Sequence, residues 1–158
     1  VERSRGLGDV YKRQLFNYVE KHGTPLYELI NNNVESSRKV FFVHGGTDVE
    51  DREEVRNLTE TESNAIIVAS YGTFSTGINI KRLHNIVFAS PSKSRIRNLQ
   101  SIGRVLRKGE GKDIATLYDI ADDIGGQNYT LKHLNERVNI YNNENFKYEV
   151  IRVNLRAN

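Results

Sequence analysis

The sequence predicts a three-layer α/β domain built on a mainly parallel sheet, with a C-terminal helix and strand as an extension. Two observations carry this. Five short apolar runs recur along the chain, with amphipathic or charged stretches between most of them. Those runs are apolar throughout, which is the pattern of strands covered by helices on both faces. Strand–helix–strand repetition then argues for a parallel sheet with right-handed crossovers. At 158 residues the chain is long enough for one domain with a real core and too short for two ordinary ones.

The elements follow in order. Residues 15–19 (LFNYV) read as the first strand. Thr24 and Pro25 then open a helix through Leu26, Leu29 and Ile30, with Thr24 as N-cap and Pro25 at the first helical position. Residues 39–43 (KVFFV) are the second strand, stopped by Gly45 and Gly46. Residues 48–60 are charged and helical in spacing. Residues 65–69 (AIIVA) and 85–89 (NIVFA) are the third and fourth strands. Residues 94–108 form a basic amphipathic helix with Ile96, Leu99, Ile102 and Leu106 on one side, and residues 115–120 (ATLYDI) close the series. Beyond about Asp122 comes a loop, a helix over residues 131–142, and a segment of period two over residues 146–153. That period marks an edge strand or a hairpin arm. Residues 1–14 are polar, contain glycines and lead into an apolar strand without turn logic. They are expected to be non-native or disordered, which makes the chain a fragment of a longer protein. The expected organisation is 1–14 outside the fold, 15–122 the α/β domain and 123–158 an extension packed on it.

Composition narrows the function classes. Hydrophobic residues make up 37% and charged residues 27%, as in ordinary globular proteins. No apolar run has the length of a membrane span, and the N-terminus has charges but no apolar core of a signal peptide. The chain has no cysteine, so it can form neither a disulfide framework nor a thiolate metal site. A reducing, cytoplasmic location fits. His22, His84 and His133 have no metal-like spacing, so no metal ligand is assigned. Net charge is only +3, but between Lys81 and Lys112 nine Lys or Arg face one acid, Glu110. Such an excess suits a phosphate-facing surface. It suits a solvated helix face equally well.

The stretch QSIGRVLR, residues 100–107, carries the strongest chemical signal. Arg104 and Arg107 are three apart on a helix and share a face, and Gly103 permits close backbone approach. An arginine fork stays ionised and donates paired hydrogen bonds to phosphoryl oxygens. Two arginines at this spacing are, by themselves, most often surface ion-pair partners, so context decides. QSIGRVLR resembles motif VI of the superfamily 2 nucleic-acid helicases, whose core is Q-x-x-G-R-x-x-R. ASYGTFSTGINI, residues 69–80, resembles motif V of that superfamily. FFVHGGTDVEDREEV, residues 41–55, is similar to the strand, H-G turn and helix of its second motor domain. All three stand in the family's order at the C-terminal ends of expected strands or on the next helix, where open α/β sheets bind ligands. The runs ASYGTFSTGINIKRLHNIVFA, LQSIGRVLRK and IATLYDIADD are most similar to a bacteriophage recombination and repair helicase, and the likeness spans residues 15–155. NENFKYEVIRVNL, residues 143–155, resembles that helicase's own ending and implies a native C-terminus.

The resemblance implies a RecA-like domain and a set of roles. Arg104 and Arg107 would reach the γ-phosphate of ATP, with Arg107 the transition-state finger. Gln100 and Gly103 would support that site, and Gly77 would bring backbone to the nucleotide across the domain cleft. Asn79 stands where many members carry Asp, so an amide contact to ribose or attacking water replaces a charged one. Ser70, Thr73, Ser75 and Thr76 would hold a nucleic-acid phosphate, and His44, Gly45 and Gly46 a second one. Such contacts carry no sequence information, which suits a motor that steps along any sequence. Each has a bland counterpart: a tight turn at Gly45–Gly46, a strand-end histidine, hydroxyls that cap the next helical turn. Only their joint placement favours function.

No G-x-x-x-x-G-K-[ST] loop is present; GEGKD, residues 109–113, has the wrong spacing and an Asp in place of the Mg²⁺-binding hydroxyl. No apolar strand ends in an Asp-Glu pair. ATP and Mg²⁺ are therefore expected to be bound mainly by a missing N-terminal RecA-like domain, and the chain alone is expected to be inactive. The expected partners are that domain and DNA or an RNA–DNA hybrid, branched or forked, in the bacterial host cytoplasm. Two rival readings stand beside this one. A non-catalytic nucleic-acid-binding module would have a start codon near Val1. Another superfamily 2 translocase, such as a restriction-enzyme subunit or a chromatin-type remodeller, would lack the ending noted above.

Overall fold

A computed structural model describes residues 12–16, 19–62, 64–75, 84–89, 115–125 and 129–155. Five strands form one sheet: β1 (Lys12–Phe16), β2 (Lys39–Val43), β3 (Ala65–Ser70), β4 (Asn85–Phe88) and β5 (Thr116–Asp119). Their order is β2-β3-β1-β4-β5, and all four pairings are parallel. The described helices are α1 (Thr24–Asn33), α2 (Val49–Thr61), the short α3 (Tyr71–Ser75) and α4 (Tyr129–Asn143).

The third strand shows why an apolar run predicts three layers. Ala65, Ile67 and Ala69 join one cluster with Val43, Ile86 and Phe88, packed against Val55 of α2 and Val138 and Tyr141 of α4. Ile66 and Val68 point to the other face, against Leu26, Tyr27 and Ile30 of α1 and against Val40 and Phe42. Residues 65–69 are all buried, so alternation of side-chain direction persists while alternation of polarity disappears. Burial of each such Ile, Val or Phe contributes about 1.5–3 kcal/mol.

Strands β2, β3, β4 and β5 lie where the apolar runs put them. The first strand does not. It runs Lys12–Phe16 instead of 15–19, at the centre of the sheet, with Lys12–Gln14 paired to Ile66–Val68 on one side and Asn85–Val87 on the other. Its polar start hid it from a reading based on hydrophobicity. Val19 belongs to the helical layer instead, packing with Leu26 and Ile30 over Ile66 and Val68. The chain enters α1 through one π-helical turn, Val19–Gly23. Because backbone is already helical there, Gly23 and not Thr24 is the N-cap, and the Thr24 hydroxyl donates back to the Val19 carbonyl at 3.2 Å. Pro25 sits in the first turn, where its missing N–H costs nothing.

The C-terminal part holds a buried polar cluster. Arg137 of α4 grips the Asp119 carboxylate with two hydrogen bonds, from Nε at 2.7 Å and Nη2 at 2.8 Å. The Tyr141 hydroxyl donates to the same carboxylate at 2.6 Å. Burial and the adjacent carboxylate push the Tyr141 phenol well above its ordinary value, so it stays protonated. This clamp fastens α4 to the end of β5. Residues 146–155 form no strand, against expectation: Phe146 packs on the core, and beyond it the alternating side chains have no neighbouring strand among the described residues.

Candidate functional site

Because every strand points the same way, the segments following β2 and β3 emerge at one end of the sheet. The register pairs Val43 with Ala69, which sets His44 beside Ser70, one residue further along adjacent strands. Two of the sequence-predicted phosphate contacts are thus brought together.

The first is a turn. The Thr47 N–H donates to the His44 carbonyl at 3.1 Å across Gly45 and Gly46, and the His44 N–H donates to the Thr47 hydroxyl at 3.0 Å. The Gly46 N–H donates to Nδ1 of the His44 ring at 3.1 Å. Nδ1 accepts this bond through its lone pair, which leaves Nε2 as the ring nitrogen that can donate outward. Gly46 allows the ring this position: a Cβ there would lie 3.1 Å from His44 Cε1, whereas one at Gly45 would meet nothing within 4 Å. The ring also lies against Phe42, with centroids 5.2 Å apart.

Arg52, one turn into α2, braces this loop from behind. Its Nε donates to the Thr47 carbonyl at 2.8 Å and its Nη2 to the Gly45 carbonyl at 3.2 Å. Both carbonyls are turned toward the guanidinium. Sequence reasoning missed Arg52. The available signal was a lone arginine among the acids that follow HGGT, placed one turn inside a helix whose N-terminus would otherwise be wholly acidic.

The second element is a cap. Ser70 ends β3, and its Oγ accepts from the Thr73 N–H at 3.3 Å, the usual geometry of an N-cap serine on the third helical residue. The two hydroxyls also bond each other at 2.7 Å, and Thr73 is buried. The helix-capping role of these hydroxyls is therefore realised in the fold. Ser75 ends α3. Thr76, Gly77, Asn79, Gln100, Gly103, Arg104 and Arg107 lie outside the described residues, as do all nine Lys and Arg residues between Lys81 and Lys112. No group of three or more potential metal ligands occurs among the described residues. No helix among them is long and apolar enough to cross a membrane.

An all-parallel five-stranded sheet with helices on both faces, and a turn and a capped helix at its C-terminal end, is a RecA-like α/β architecture. Residues 14–109 match the helicase conserved C-terminal domain, and the chain belongs to that family. It is 42% identical over 154 residues to the ATP-dependent DNA helicase uvsW of Enterobacteria phage T4, covering 89% of this chain and 30% of that protein. A putative ATP-dependent RNA helicase, L396 of Acanthamoeba polyphaga mimivirus, is 32% identical over 97 residues, 61% of this chain and 17% of its own length. The crystal structure of T4 UvsW superposes with a TM-score of 0.69 at 40% identity, over 87% of this chain and 30% of that one. The C-terminal part of the Fun30 ATPase domain shares the fold, with a TM-score of 0.54 at 17% identity, over 86% of this chain and 48% of that one. The chain thus spans about a third of the T4 protein's length.

Proposed function

We propose that this chain is the second motor domain of an ATP-dependent helicase that moves on DNA or an RNA–DNA hybrid, branched or forked, in phage recombination, repair and replication. The observation that carries the reading is the identity to the T4 helicase, which runs along nearly the whole chain and through all three motif stretches. The geometry supports it: the His44–Thr47 turn and the Ser70–Thr73 cap stand side by side at the ligand end of the sheet.

In this reading the His44 ring, through its Nε2–H, and the backbone of Gly45 and Gly46 meet one phosphate. The α3 segment, with Ser70, Thr73, Ser75 and Thr76, meets the next. Thr73 is buried and its hydroxyl engaged, so it positions α3 and leaves the contact to its neighbours. Arg104 and Arg107 reach the nucleotide held by a preceding motor domain, Gln100 and Gly103 shape that helix, and Gly77 and Asn79 line the same cleft. ATP and Mg²⁺ supply phosphoryl transfer when bound by that preceding domain. This chain's part is to deliver arginine charge to it on closure and to hold the nucleic-acid backbone while closure happens.

The test is Arg107→Ala in the full-length protein. Nucleic-acid-stimulated ATPase should fall by about 10³-fold or more, the usual weight of such an arginine, with nucleic-acid affinity nearly unchanged. Turnover that survives the substitution would remove Arg107 from the role of finger.

A further inference from the structure

The segment after α4 has no place in the motor chemistry. It begins firmly. The Phe146 N–H donates to the Tyr141 carbonyl at 2.8 Å, Phe146 packs on the main core cluster, and the rings of Phe146 and Tyr148 both lie 6.3 Å from that of Tyr141. Tyr141 in turn is tied to Asp119, the last residue of β5. The root of the segment is therefore anchored at the same end of the sheet as the His44 turn and the Ser70 cap.

Beyond Tyr148 the character reverses. Val150, Ile151, Val153 and Leu155 are all exposed, Ile151 at 72% and Leu155 at 83%. Residues 149–155 belong to no strand, and no hydrogen bond or ion pair ties them to the described fold. A run of branched aliphatic side chains whose backbone finds no partner among the described residues is a strand without a sheet there. Ordinary surfaces do not collect four such side chains in six residues without a partner.

We infer that residues 149–155 are a docking arm whose occupant is the preceding motor domain of the same protein. The arm would lie on that domain in extended form, through backbone pairing and the apolar row Ile151, Val153 and Leu155. This rests on the two-domain reading above. Three facts select that partner. The arm is rooted at the end of the sheet where the ligand loops stand, which in a two-domain motor faces the cleft. Its seven residues reach roughly 23 Å when extended, enough to cross a cleft. And the T4 relative holds more than twice as much chain again as this sequence matches, so a large covering body is available within one polypeptide. A tether of this kind keeps the two halves at high effective concentration while the cleft opens and closes.

Hydrogen exchange on the full-length protein tests the inference. The amides of residues 149–155 should exchange at least about tenfold more slowly than open chain, at a rate independent of protein concentration. Ile151→Asp with Val153→Asp should release that protection while Ile66–Val68 of β3 stay protected, which shows that the domain is still folded. Open-chain exchange in the wild type, or protection that appears only at high concentration with a dimer, overturns the arm. The same preparation reports separately on the motor reading: full ATPase with an unprotected arm sinks the docking alone. A protected arm with no stimulated ATPase sinks the motor and not the docking.

Discussion

The histidine of the HGG turn owes its ring orientation to a glycine two residues away. Gly46 donates to Nδ1 and, by lacking a Cβ, leaves room for the ring that accepts the bond. Gly46→Ala places a methyl 3.1 Å from the Cε1 of the ring, so the imidazole must shift by a few tenths of an ångström and the bond from the Gly46 N–H is disturbed. In the full-length protein, Gly46→Ala and His44→Ala should each weaken nucleic-acid binding by about one hydrogen bond, roughly fivefold in affinity. The double substitution should cost little more than either alone, since both remove the same contact. Additive losses in a binding titration would show that the glycine acts independently of the ring. The histidine and the glycines were legible in the sequence because they follow an apolar strand directly. The brace, Arg52, was not, because its bonds go to carbonyls and leave no mark on hydropathy or motif spacing.

At the scale of elements, the clamp between β5 and α4 decides whether the C-terminal part stays with the domain. Asp119 receives three donors from Arg137 and Tyr141, and Arg137 is 1% exposed. Removing one member of such a pair strands the other charge in the core. Asp119→Ala should therefore destabilise by about 3–5 kcal/mol, whereas Asp119→Ala combined with Arg137→Met should recover a large part of that loss. Denaturant titration of the two variants decides the matter. A double variant as unstable as the sum of the singles would mean that the ionic contact itself, and not the stranded charge, carries the stability. Four of the five strands were legible as apolar runs; β3 has both faces buried, residue by residue, whereas β5 at the sheet edge keeps Thr116 and Tyr118 exposed. The first strand escaped because Lys12, Arg13 and Gln14 pair through backbone in the middle of the sheet, and backbone pairing has no hydrophobic signature. The C-terminal segment misled in the opposite direction. Its period of two is real, but a strand also requires a neighbour, and the described fold provides none.

At the scale of the whole molecule, the central strand begins at Lys12, three residues before the first strand that the sequence predicts. Strand β1 bonds on both sides, to β3 and to β4, so cutting at residue 15 removes Lys12–Gln14 from the centre of the sheet and leaves orphaned backbone groups on each neighbour. A chain of residues 12–158 should melt at a clearly higher temperature than one of residues 15–158. Equal melting temperatures would mean that those three residues add nothing to the sheet. Neither chain should show nucleic-acid-stimulated ATPase, because the sequence contains no phosphate-binding loop and no Asp-Glu strand end. The two measurements separate two reasons for inactivity. A folded chain of residues 12–158 with no turnover is the outcome that the proposed two-domain motor expects. Clear turnover from that chain would place the nucleotide chemistry on this domain alone and overturn the two-domain reading.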